Sequence, residues 1–417
     1  MTTRKRKILI YGSGNSREHA TYDAIRQDMD CECYCAIKNS NALLELMPNV
    51  HRIRNANEAI VLARELAIDR VLILSPSELI AGDCDKFRLA GFNTFGASKR
   101  SSLLESSKSF AKNFMQRYNI PTPECRLFTD YSMAEQILKS EWSERNLVIK
   151  PDIFSMNAYD RTATPDSLEE AIRHLRRFYT INPDSPVILE NRISGYELSL
   201  HVLFSGDDYF ILPLVQDYKR LCDQDKGPMT HGMAALAFNG NYPKKLMHNI
   251  KSMIIEPTLL GLNKEGIEFN SILYFGLMIS DDTPYLLEYN VRSGNPEWIS
   301  ILGLLDSNLI DVLEFSAPEN WKRGYSLTSF VTTKDYPVIN EDRFSVPIAN
   351  VYPENCCDVF GESITKSADQ FYPSGGRIVA FRDTGSEFEL IKRNVLNAAG
   401  NIELEGKQYR TDMSPFF

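Results

Sequence analysis

Residues 286–297 read LLEYNVRSGNPE, an apolar run that becomes polar just before a glycine and a proline. Because side chains alternate between the two faces of a β-strand, Glu288 and Asn290 are predicted to share one face, with Arg292 two positions further on. Neighbouring oxygen ligands suit Mg²⁺ (or Mn²⁺), which takes one or two protein groups together with nucleotide phosphates. Arg292 could reach a phosphoryl oxygen. The alternative is the ordinary polar face of a half-exposed strand.

Two further stretches carry groups that suit a nucleotide. Lys150 ends an apolar run, where its ammonium could hold an ATP phosphate as a point charge, and Lys108 is a second candidate. Residues 187–197, VILENRISGYE, place Glu190 and Glu197 on either side of a short linker. One carboxylate could accept from an adenine amino group and the other from ribose hydroxyls, with the backbone between them pairing with the adenine edge. For each lysine, a solvated surface position is the alternative.

Two loops are candidates for substrate binding. Residues 12–19, GSGNSREH, follow an apolar run, and glycines before a helix N-terminus favour phosphate or carboxylate binding. The third glycine of a dinucleotide fingerprint is missing, so a plain structural turn is the alternative. Residues 216–233, QDYKRLCDQDKGPMTHGM, place basic and acidic groups beside a Gly/Pro loop. That loop could form a substrate pocket, or a solvated hairpin.

Bulk composition limits the possible partners. The chain of 417 residues is long enough for two to four units, and 46 basic against 55 acidic residues give a net charge of −9. This balance argues against a nucleic-acid partner. The first apolar run, 8–11, is too short for a membrane span, so we expect a cytoplasmic protein without a membrane partner. Alternating cysteines 31, 33 and 35 indicate buried reduced thiols, with a metal site as the alternative.

Strand and helix signals alternate over the first hundred residues, which predicts a parallel sheet with helices on both faces, as in a small Rossmann-like domain. From residue 106 strand-like runs dominate, and past Trp321 short strands with glycine-rich turns indicate a small mixed domain. We therefore predict both α/β and α+β architecture.

Taken in order, these segments resemble the glycinamide ribonucleotide synthetase family, the phosphoribosylamine–glycine ligases of purine biosynthesis. The resemblance covers nearly the whole chain, and the stretches that carry it are REHA (17–20), LESSK (104–108), VIK (148–150), GYELS (195–199), QDYKR (216–220), EYN (288–290), GGR (375–377) and YRTD (409–412).

The resemblance implies an ATP-grasp fold with an N-terminal Rossmann-like (pre-ATP-grasp) domain at 1–105. An ATP-grasp domain at 106–325, with a lid at about 122–190, and a C-terminal α+β domain at 326–417 would follow. ATP and Mg²⁺ (or Mn²⁺) are the implied cofactors, and the partners are a small carboxylate (glycine or another amino acid) and an amine. A monomer or homodimer is expected.

The family pattern also assigns roles to single residues. Phosphates, adenine and ribose are expected at Lys108, Lys150, Glu190, Asn191, Ile193 and Glu197. Magnesium is expected at Glu288 and Asn290. Substrate-binding candidates are Gly14, Arg17, Glu18, His19, Asp217, Lys219, Arg220 and Thr230. Catalytic candidates are Arg292, Lys219 and Asp225.

In this mechanism a carboxylate attacks the γ-phosphate, and an amine then displaces phosphate from the acyl phosphate. Some loops depart from the family pattern. The loop 152–159 has no glycine to grip phosphates, 37–41 lacks the glycine of a phosphate loop, and His231, Ala234 and Asn295 replace two small positions and an acidic one.

Three alternatives to this ligase follow. A diverged relative could join a different amino acid or amine, and a non-catalytic module could bind ATP without turnover. A nicotinamide-dependent oxidoreductase could use the loop at 12–14.

Overall fold

The computed structural model describes residues 4–145, 147–154, 162–316, 320–352 and 357–416, without the side chains of 143–145. Its N-terminal part is a five-stranded sheet in the order β3-β2-β1-β4-β5, and every pair in it is parallel. The predicted α/β architecture of this region is confirmed. The strands are β1 (Arg6–Gly12), β2 (Cys31–Ile37), β3 (Val50–Arg52), β4 (Arg70–Ile73) and β5 (Thr94–Phe95).

Helices follow these strands in the predicted alternation. Residues 76–89 are divided between two short helices because Gly82 takes a left-handed conformation (φ 79°) between them. The helices here are α1 (Ser16–Arg26), α2 (Ala56–Glu65), α3 (Pro76–Ile80), α4 (Asp83–Leu89), α5 (Leu103–Ser106) and α6 (Lys108–Arg117). Cys33 and Cys35 belong to β2, and their thiols are buried in the hydrophobic core. Burial raises the pKa of both thiols.

A small antiparallel sheet, in the order β6-β8-β7, is covered by two helices. Its elements are β6 (Cys125–Phe128), α7 (Tyr131–Arg145), β7 (Leu147–Pro151), α8 (Leu168–Ile181) and β8 (Val187–Asn191). Helix α8 begins where the Ser167 side chain accepts a hydrogen bond from the backbone N–H of Glu170, and its buried Leu175 and Phe178 pack on the sheet.

The largest sheet has nine strands, with β14-β13-β9-β11-β12-β15-β19-β16 in line and β10 paired with β9. Its strands are β9 (Tyr196–Ser205), β10 (Asp208–Ile211), β11 (Leu214–Cys222), β12 (Lys226–Asn239), β13 (Asn270–Ser280), β14 (Thr283–Asn290), β15 (Gly324–Thr332), β16 (Asp358–Gly361) and β19 (Arg377–Gly385). A hairpin, β17 (Ile364–Ser367) with β18 (Gln370–Pro373), lies beside it. Because β15 pairs with β12, the predicted boundary at 325–326 does not separate two sheets.

The remaining helical segments are α9 (Lys244–Ile250), a π-helical turn (Lys251–Ile255), α10 (Glu256–Lys264), α11 (Glu297–Leu304), α12 (Leu309–Leu313), a 3₁₀ turn (Glu341–Ser345) and α13 (Phe388–Asn401). Of these, α9, α11 and α13 pack against strands of the large sheet, and the 3₁₀ turn lies beside the hairpin strand β18. Across the described ranges, we find no helix with both the length and the apolar character needed to cross a bilayer.

Candidate active site

A cavity of about 1440 Å³ opens where the three sheets meet. It collects the predicted site residues from strands and loops that lie far apart in the sequence. Those lining it are Gly14, Arg17, Lys108, Lys150, Glu190, Asn191, Ile193, Glu197, Asp217, Lys219, Arg220, Asp225, Thr230, Glu288, Asn290 and Arg292. Two predicted residues, Glu18 and His19, are not among its lining residues.

One wall of the cavity carries buried lysines. The ammonium of Lys150, on β7, lies 2.5 Å from Glu190 on the paired strand β8. Lys108 is the first residue of α6, capped by Ser107, and its Nζ donates to the carbonyl of Ile153 at 3.3 Å. Burial lowers the pKa of Lys108, with Lys150 adding to the effect. Lys150 is therefore a buried cation and Lys108 a half-buried one, and neither is a fully solvated surface group.

Lys112 is a site residue that the sequence analysis missed. It is 4% exposed, forms an ion pair with Glu190, and donates to Thr122 Oγ1 at 2.5 Å. Burial lowers the pKa of Lys112 to about 8. Its spacing of four residues from Lys108 places both on one face of α6, which is the signal that could have revealed it. Glu190 therefore lies between two ammonium groups.

The linker between β8 and β9 lies close against the nine-stranded sheet. A Cβ on Gly195 would lie 2.1 Å from the carbonyl oxygen of Ile279, so only glycine fits there. Two residues later, Glu197 reaches across the sheet to Lys219 at 3.2 Å. The close approach at Gly195 fixes where Asn191, Ile193 and Glu197 meet the cavity.

The predicted strand β14 places its polar face as expected. Glu288 is opposite Gly276, where a Cβ would lie only 3.0 Å from its Cγ, and Tyr289 is buried on the other face. Arg292 donates to Asn290 Oδ1 at 3.2 Å and pairs with the buried Glu105 at 3.1 Å.

The charges around Glu288 set its ionisation. Burial alone would raise the pKa of Glu288, but four surrounding cations hold it below its ordinary value. They are Lys219, Lys150, Lys108 and Arg292. The carboxylate therefore stays ionised near neutral pH, ready to face a cation.

The hairpin of β11 and β12 presents the predicted substrate residues. Lys219 lies 3.9 Å from both Asp217 and Glu288, and these carboxylates together with Glu197 raise its pKa although burial alone would lower it. Thr230 donates to the carbonyl of Lys219 at 2.7 Å, which fixes the register across the hairpin. Arg220 donates to Thr164 at 2.7 Å.

Asp225 occupies a different place from Lys219. It sits at the exposed turn of the hairpin in a left-handed conformation (φ 51°), and its carboxylate pairs with the buried Arg410 at 2.8 Å. This pairing ties the hairpin to the C-terminal segment, so the position of Asp225 suits support of the hairpin better than contact with reacting atoms.

The N-terminal loop divides into cavity residues and structural residues. Gly14 has φ 88°, and a Cβ there would lie 2.8 Å from the carbonyl oxygen of Asn39. Arg17 is 4% exposed and lines the cavity, but its Nε has no hydrogen-bond partner. Burial and the nearby Arg292 lower the pKa of Arg17 to about 10.

Glu18 and His19, predicted to bind substrate, make structural contacts instead. Glu18 accepts a hydrogen bond from the backbone N–H of Asn15 at 2.8 Å, which completes a capping box for α1. It also accepts one from the Ser75 hydroxyl. Nδ1 of His19 accepts from the backbone N–H of Gly361 at 3.1 Å. Burial raises the pKa of Glu18 and lowers that of His19 to about 3.

Two predicted departures can be located. Most of the glycine-free loop, residues 155–159, lies outside the described residues, while Ile153 and Phe154 line the cavity. Asn295 accepts from Ser16 Oγ at 3.1 Å and donates to Glu362 at 3.0 Å. An amide suits this position because a carboxylate would face Glu362 as a like charge.

Comparison with known proteins decides the family. Residues 6–105 match the N domain of phosphoribosylglycinamide synthetase, and residues 106–298 match its ATP-grasp (A) domain. The chain belongs to the phosphoribosylglycinamide synthetase family. It is therefore an ATP-dependent carbon–nitrogen ligase that forms an amide, as the resemblance implied.

Relatives match this family member over nearly its full length. Phosphoribosylamine–glycine ligases of Caldanaerobacter subterraneus subsp. tengcongensis and Streptococcus pneumoniae serotype 4 are 28% and 29% identical to it. Each alignment covers 98% of this chain, and 99% and 98% of the respective relatives.

Solved structures confirm the ATP-grasp fold. The phosphoribosylamine–glycine ligase of Thermotoga maritima superposes with a TM-score of 0.79 at 27% identity, covering 98% of this chain and 100% of that one. A biotin carboxylase from Campylobacter jejuni, at 13% identity and a TM-score of 0.70, covers 97% of this chain and 92% of its own. That second likeness shows the fold alone.

Proposed function

We propose that this ligase joins the carboxylate of glycine to the amine of phosphoribosylamine, using ATP and Mg²⁺, in the cytoplasmic pathway of purine biosynthesis. The observation that carries the proposal is the convergence of Lys108, Lys150, Lys219 and Arg292 around the ionised Glu288 in one cavity. Four cations beside one carboxylate suit a polyphosphate with its metal better than any neutral ligand. The names and coverage of the relatives support the choice of substrates.

The cavity wall that carries Lys108, Lys112 and Lys150 would bind the nucleotide. Lys108 and Lys150 would contact phosphates, and the backbone at Asn191 and Ile193 would meet the adenine edge. Glu197 would accept from ribose hydroxyls, being half-exposed at the cavity's linker side. Glu190 has both oxygens beside lysines, so we propose that it orients Lys112 and Lys150, and that any contact with adenine is shared with these ion pairs.

Glu288 and Asn290 fit a magnesium ion. They share one face of β14, supply one carboxylate and one amide oxygen, and leave the remaining positions to phosphate oxygens and water. A bound Mg²⁺ would offset the negative charge of the transferring phosphoryl group. Arg292, held by Glu105, is placed to contact the same oxygens.

The reaction proceeds in two steps in this proposal. A glycine carboxylate oxygen attacks the γ-phosphorus, the bond to the bridging oxygen breaks, and ADP leaves. The amine nitrogen then attacks the acyl carbon, inorganic phosphate leaves with the electron pair, and the nitrogen loses one proton. The side chains of Lys219 and Arg292 act by position and charge, without a covalent bond to the protein.

A second candidate is ligation of a different amine by the same chemistry. It is favoured by the loop at 37–41, where the Asn41 side chain donates to the carbonyls of Gly14 and Gly361 at 3.0 and 2.7 Å. An asparagine anchored to two backbones leaves this loop shaped differently from a glycine-rich phosphate loop. The acceptor amine could accordingly lack a ribose phosphate.

The test is ADP release by the purified protein with ATP and Mg²⁺. We expect release to require both glycine and freshly generated phosphoribosylamine, and not to occur with a panel of other amino acids and amines. Release with glycine and another amine would favour the second candidate. ATP binding without ADP release under every condition would contradict the proposed catalysis.

Substitution of Glu288 sharpens this test. Glu288→Gln should lower ADP release about 100-fold and raise the magnesium concentration needed for half-maximal rate, because the amide lacks the ligand charge. Glu169→Gln, which removes the same charge from an 89% exposed site on α8, is the matched control. An unchanged magnesium titration in Glu288→Gln would remove the metal assignment.

A further inference from the structure

We propose that His201 is a positioning residue for the ligase reaction: its imidazole holds the loop that follows β14, residues 291–296, and thereby places Arg292 beside the transferring phosphoryl group. The inference rests on the proposed function for the role of Arg292, and it adds a residue outside the cavity. His201 lies on β9, between β13 and β11 in the nine-stranded sheet, and is not among the described lining residues of the cavity.

Polar side chains run along one face of β9. Because side chains alternate along a strand, Glu197, Ser199 and His201 share a face, whereas Leu198 and Leu200 point to the apolar core on the other. Glu197 lines the cavity, and the polar face continues from there to His201, which is fully buried. A leucine could fill such a buried place without any polar group, so the hydrogen bonding of the imidazole is what distinguishes it.

His201 bonds to the backbone of the 291–296 loop. Its Nε2 accepts a hydrogen bond from the N–H of Gly294 at 2.9 Å. The carbonyl of Gly294 in turn accepts from the N–H of Trp298 at 3.1 Å, where α11 begins. Both polar groups of the Gly294 backbone are therefore held, one by the sheet and one by the helix. The imidazole bond thus fixes the point at which the chain turns from β14 into α11.

Glu105, on α5, holds the same loop at a second point. Its carboxylate accepts from the backbone N–H of Val291 at 2.9 Å and from Nε of Arg292 at 3.1 Å. Arg292 also donates to Oδ1 of Asn290 at 3.2 Å. The loop is therefore anchored one residue before Arg292, by Glu105, and two residues after it, by His201. Anchors on both sides keep the guanidinium in one orientation, which is what a group that acts by position requires.

The imidazole of His201 is neutral. Because Nε2 accepts, the proton of the neutral ring is assigned to Nδ1. Burial lowers the pKa of His201 to about 3, and the charges of Arg292 and Arg17 act in the same direction. The ring therefore remains an acceptor for Gly294 throughout the neutral pH range, and it lies close enough to both guanidinium groups to feel their charge.

This arrangement leaves polar atoms without partners. Nδ1 of His201 and Oγ of Ser293, the residue before Gly294, are buried and have no hydrogen-bond partner among the described residues. Buried polar atoms without partners cost free energy, and a ring present for packing alone would not carry that cost. Local costs of this kind are typical of functional sites, where position matters more than stability.

The test compares two amides of different reach. The amide of Gln extends to about the position of Nε2 and can accept from Gly294, whereas that of Asn extends only to about the position of Nδ1. We expect His201→Gln to keep kcat for ADP release within about twofold of the wild type, and His201→Asn to lower it about tenfold. The KM for ATP should stay within about twofold in both, because Lys108 and Lys150 are untouched.

The value of kcat is calculated per binding site, counted by calorimetric titration of the full-length protein with a non-hydrolysable ATP analogue and Mg²⁺. Unfolded protein therefore does not lower it. If His201→Asn does not fold, His201→Leu, which keeps the bulk and lacks the acceptor, takes its place with the same expected loss.

Coupling to Arg292 separates positioning from general support of the fold. Arg292→Ala should lower kcat about 100-fold, and adding His201→Asn should lower it no further, because the loop then has no guanidinium to place. A merely structural role would multiply the two losses to about 1000-fold.

His19→Leu is the matched control. His19 is nearly as buried, at 3% exposed, and its Nδ1 accepts from the backbone N–H of Gly361 at 3.1 Å, but this bond leads to β16. The variant should leave kcat per binding site unchanged, both alone and together with Arg292→Ala.

Equal kcat values for the two amide variants, or losses that multiply with that of Arg292→Ala, would overturn the inference. Crystal structures of the variants give a readout that needs no substrate. Arg292 should keep its contact with Asn290 in His201→Gln and lose it in His201→Asn, and an unmoved guanidinium in both would also overturn the inference. Failure of the proposed function would look different, because the wild type would release ADP with another substrate pair and the contrast between the variants would persist with that pair.

Discussion

Two regions of the molecule offer similar residues and use them differently. The N-terminal loop, residues 12–19, and the β11–β12 hairpin, residues 214–239, both place charged side chains beside glycines. In the loop, Glu18 and His19 are buried with protein partners and stay out of the cavity. In the hairpin, Asp217, with a side chain 5% exposed, and Lys219, with one 22% exposed, both face the cavity. Burial alone therefore does not separate Asp217 from Glu18 and His19, and the direction and partners of each group decide its role.

The largest expected effect tests the hairpin. Lys219→Met should lower kcat/KM about 100-fold, because Glu197, Asp217 and Glu288 would then repel the triphosphate without a compensating charge. Steady-state ADP release is the measurement. Lys245→Met, at a 70% exposed site paired with Asp282, is the control and should keep the wild-type rate. Equal rates for both variants would show that the hairpin lysine, like Glu18, is structural.

The fold was largely predictable because its signals are local. Alternating strands and helices in the first hundred residues correctly predicted a parallel sheet, and the period of two along β14 correctly placed Glu288 with Asn290. Candidate residues that reach the cavity could be found where a residue lies near the end of a strand or starts a helix, as Lys150 in β7 and Lys108 in α6 do.

The remaining features depend on contacts between distant segments. Glu18 and His19 were assigned to substrate because their partners, Ser75 and Gly361, are 57 and 342 residues away. Glu297, a buried residue that also lines the cavity, was missed for a related reason, since its position depends on the turn at Gly294 and the approach of β12. No periodicity within a window of ten or twenty residues carries such information.

A smaller effect separates two adjacent residues of the N-terminal loop. Glu18→Ala should lower the free energy of unfolding by about 2 kcal/mol, because the N–H of Asn15 and the Ser75 hydroxyl lose their acceptor. Arg17→Ala should instead leave the free energy of unfolding unchanged and raise the KM of a substrate, since the buried Nε of Arg17 has no hydrogen-bond partner to lose. Urea unfolding followed by fluorescence, with steady-state kinetics, distinguishes them. A raised KM in Glu18→Ala at full stability would return this residue to the substrate site.

The smallest effect concerns acid sensitivity at His19. Burial lowers the pKa of its imidazole to about 3, against about 6.5 in an unfolded chain. Below pH 6.5 the unfolded state therefore binds a proton that the native state refuses, and stability falls as pH falls. The contribution approaches about 1.4 kcal/mol per pH unit.

His19→Gln removes this titration and leaves His201, whose pKa burial also lowers to about 3, to titrate in both proteins. We expect the unfolding free energy of the variant to decline less steeply from pH 6.5 to 5, a range above most carboxylate titrations. Urea unfolding at half-unit pH steps measures both slopes. Parallel slopes would mean that His19 gains a proton in the native state, and thus that it faces water or ligand as a residue of the cavity would.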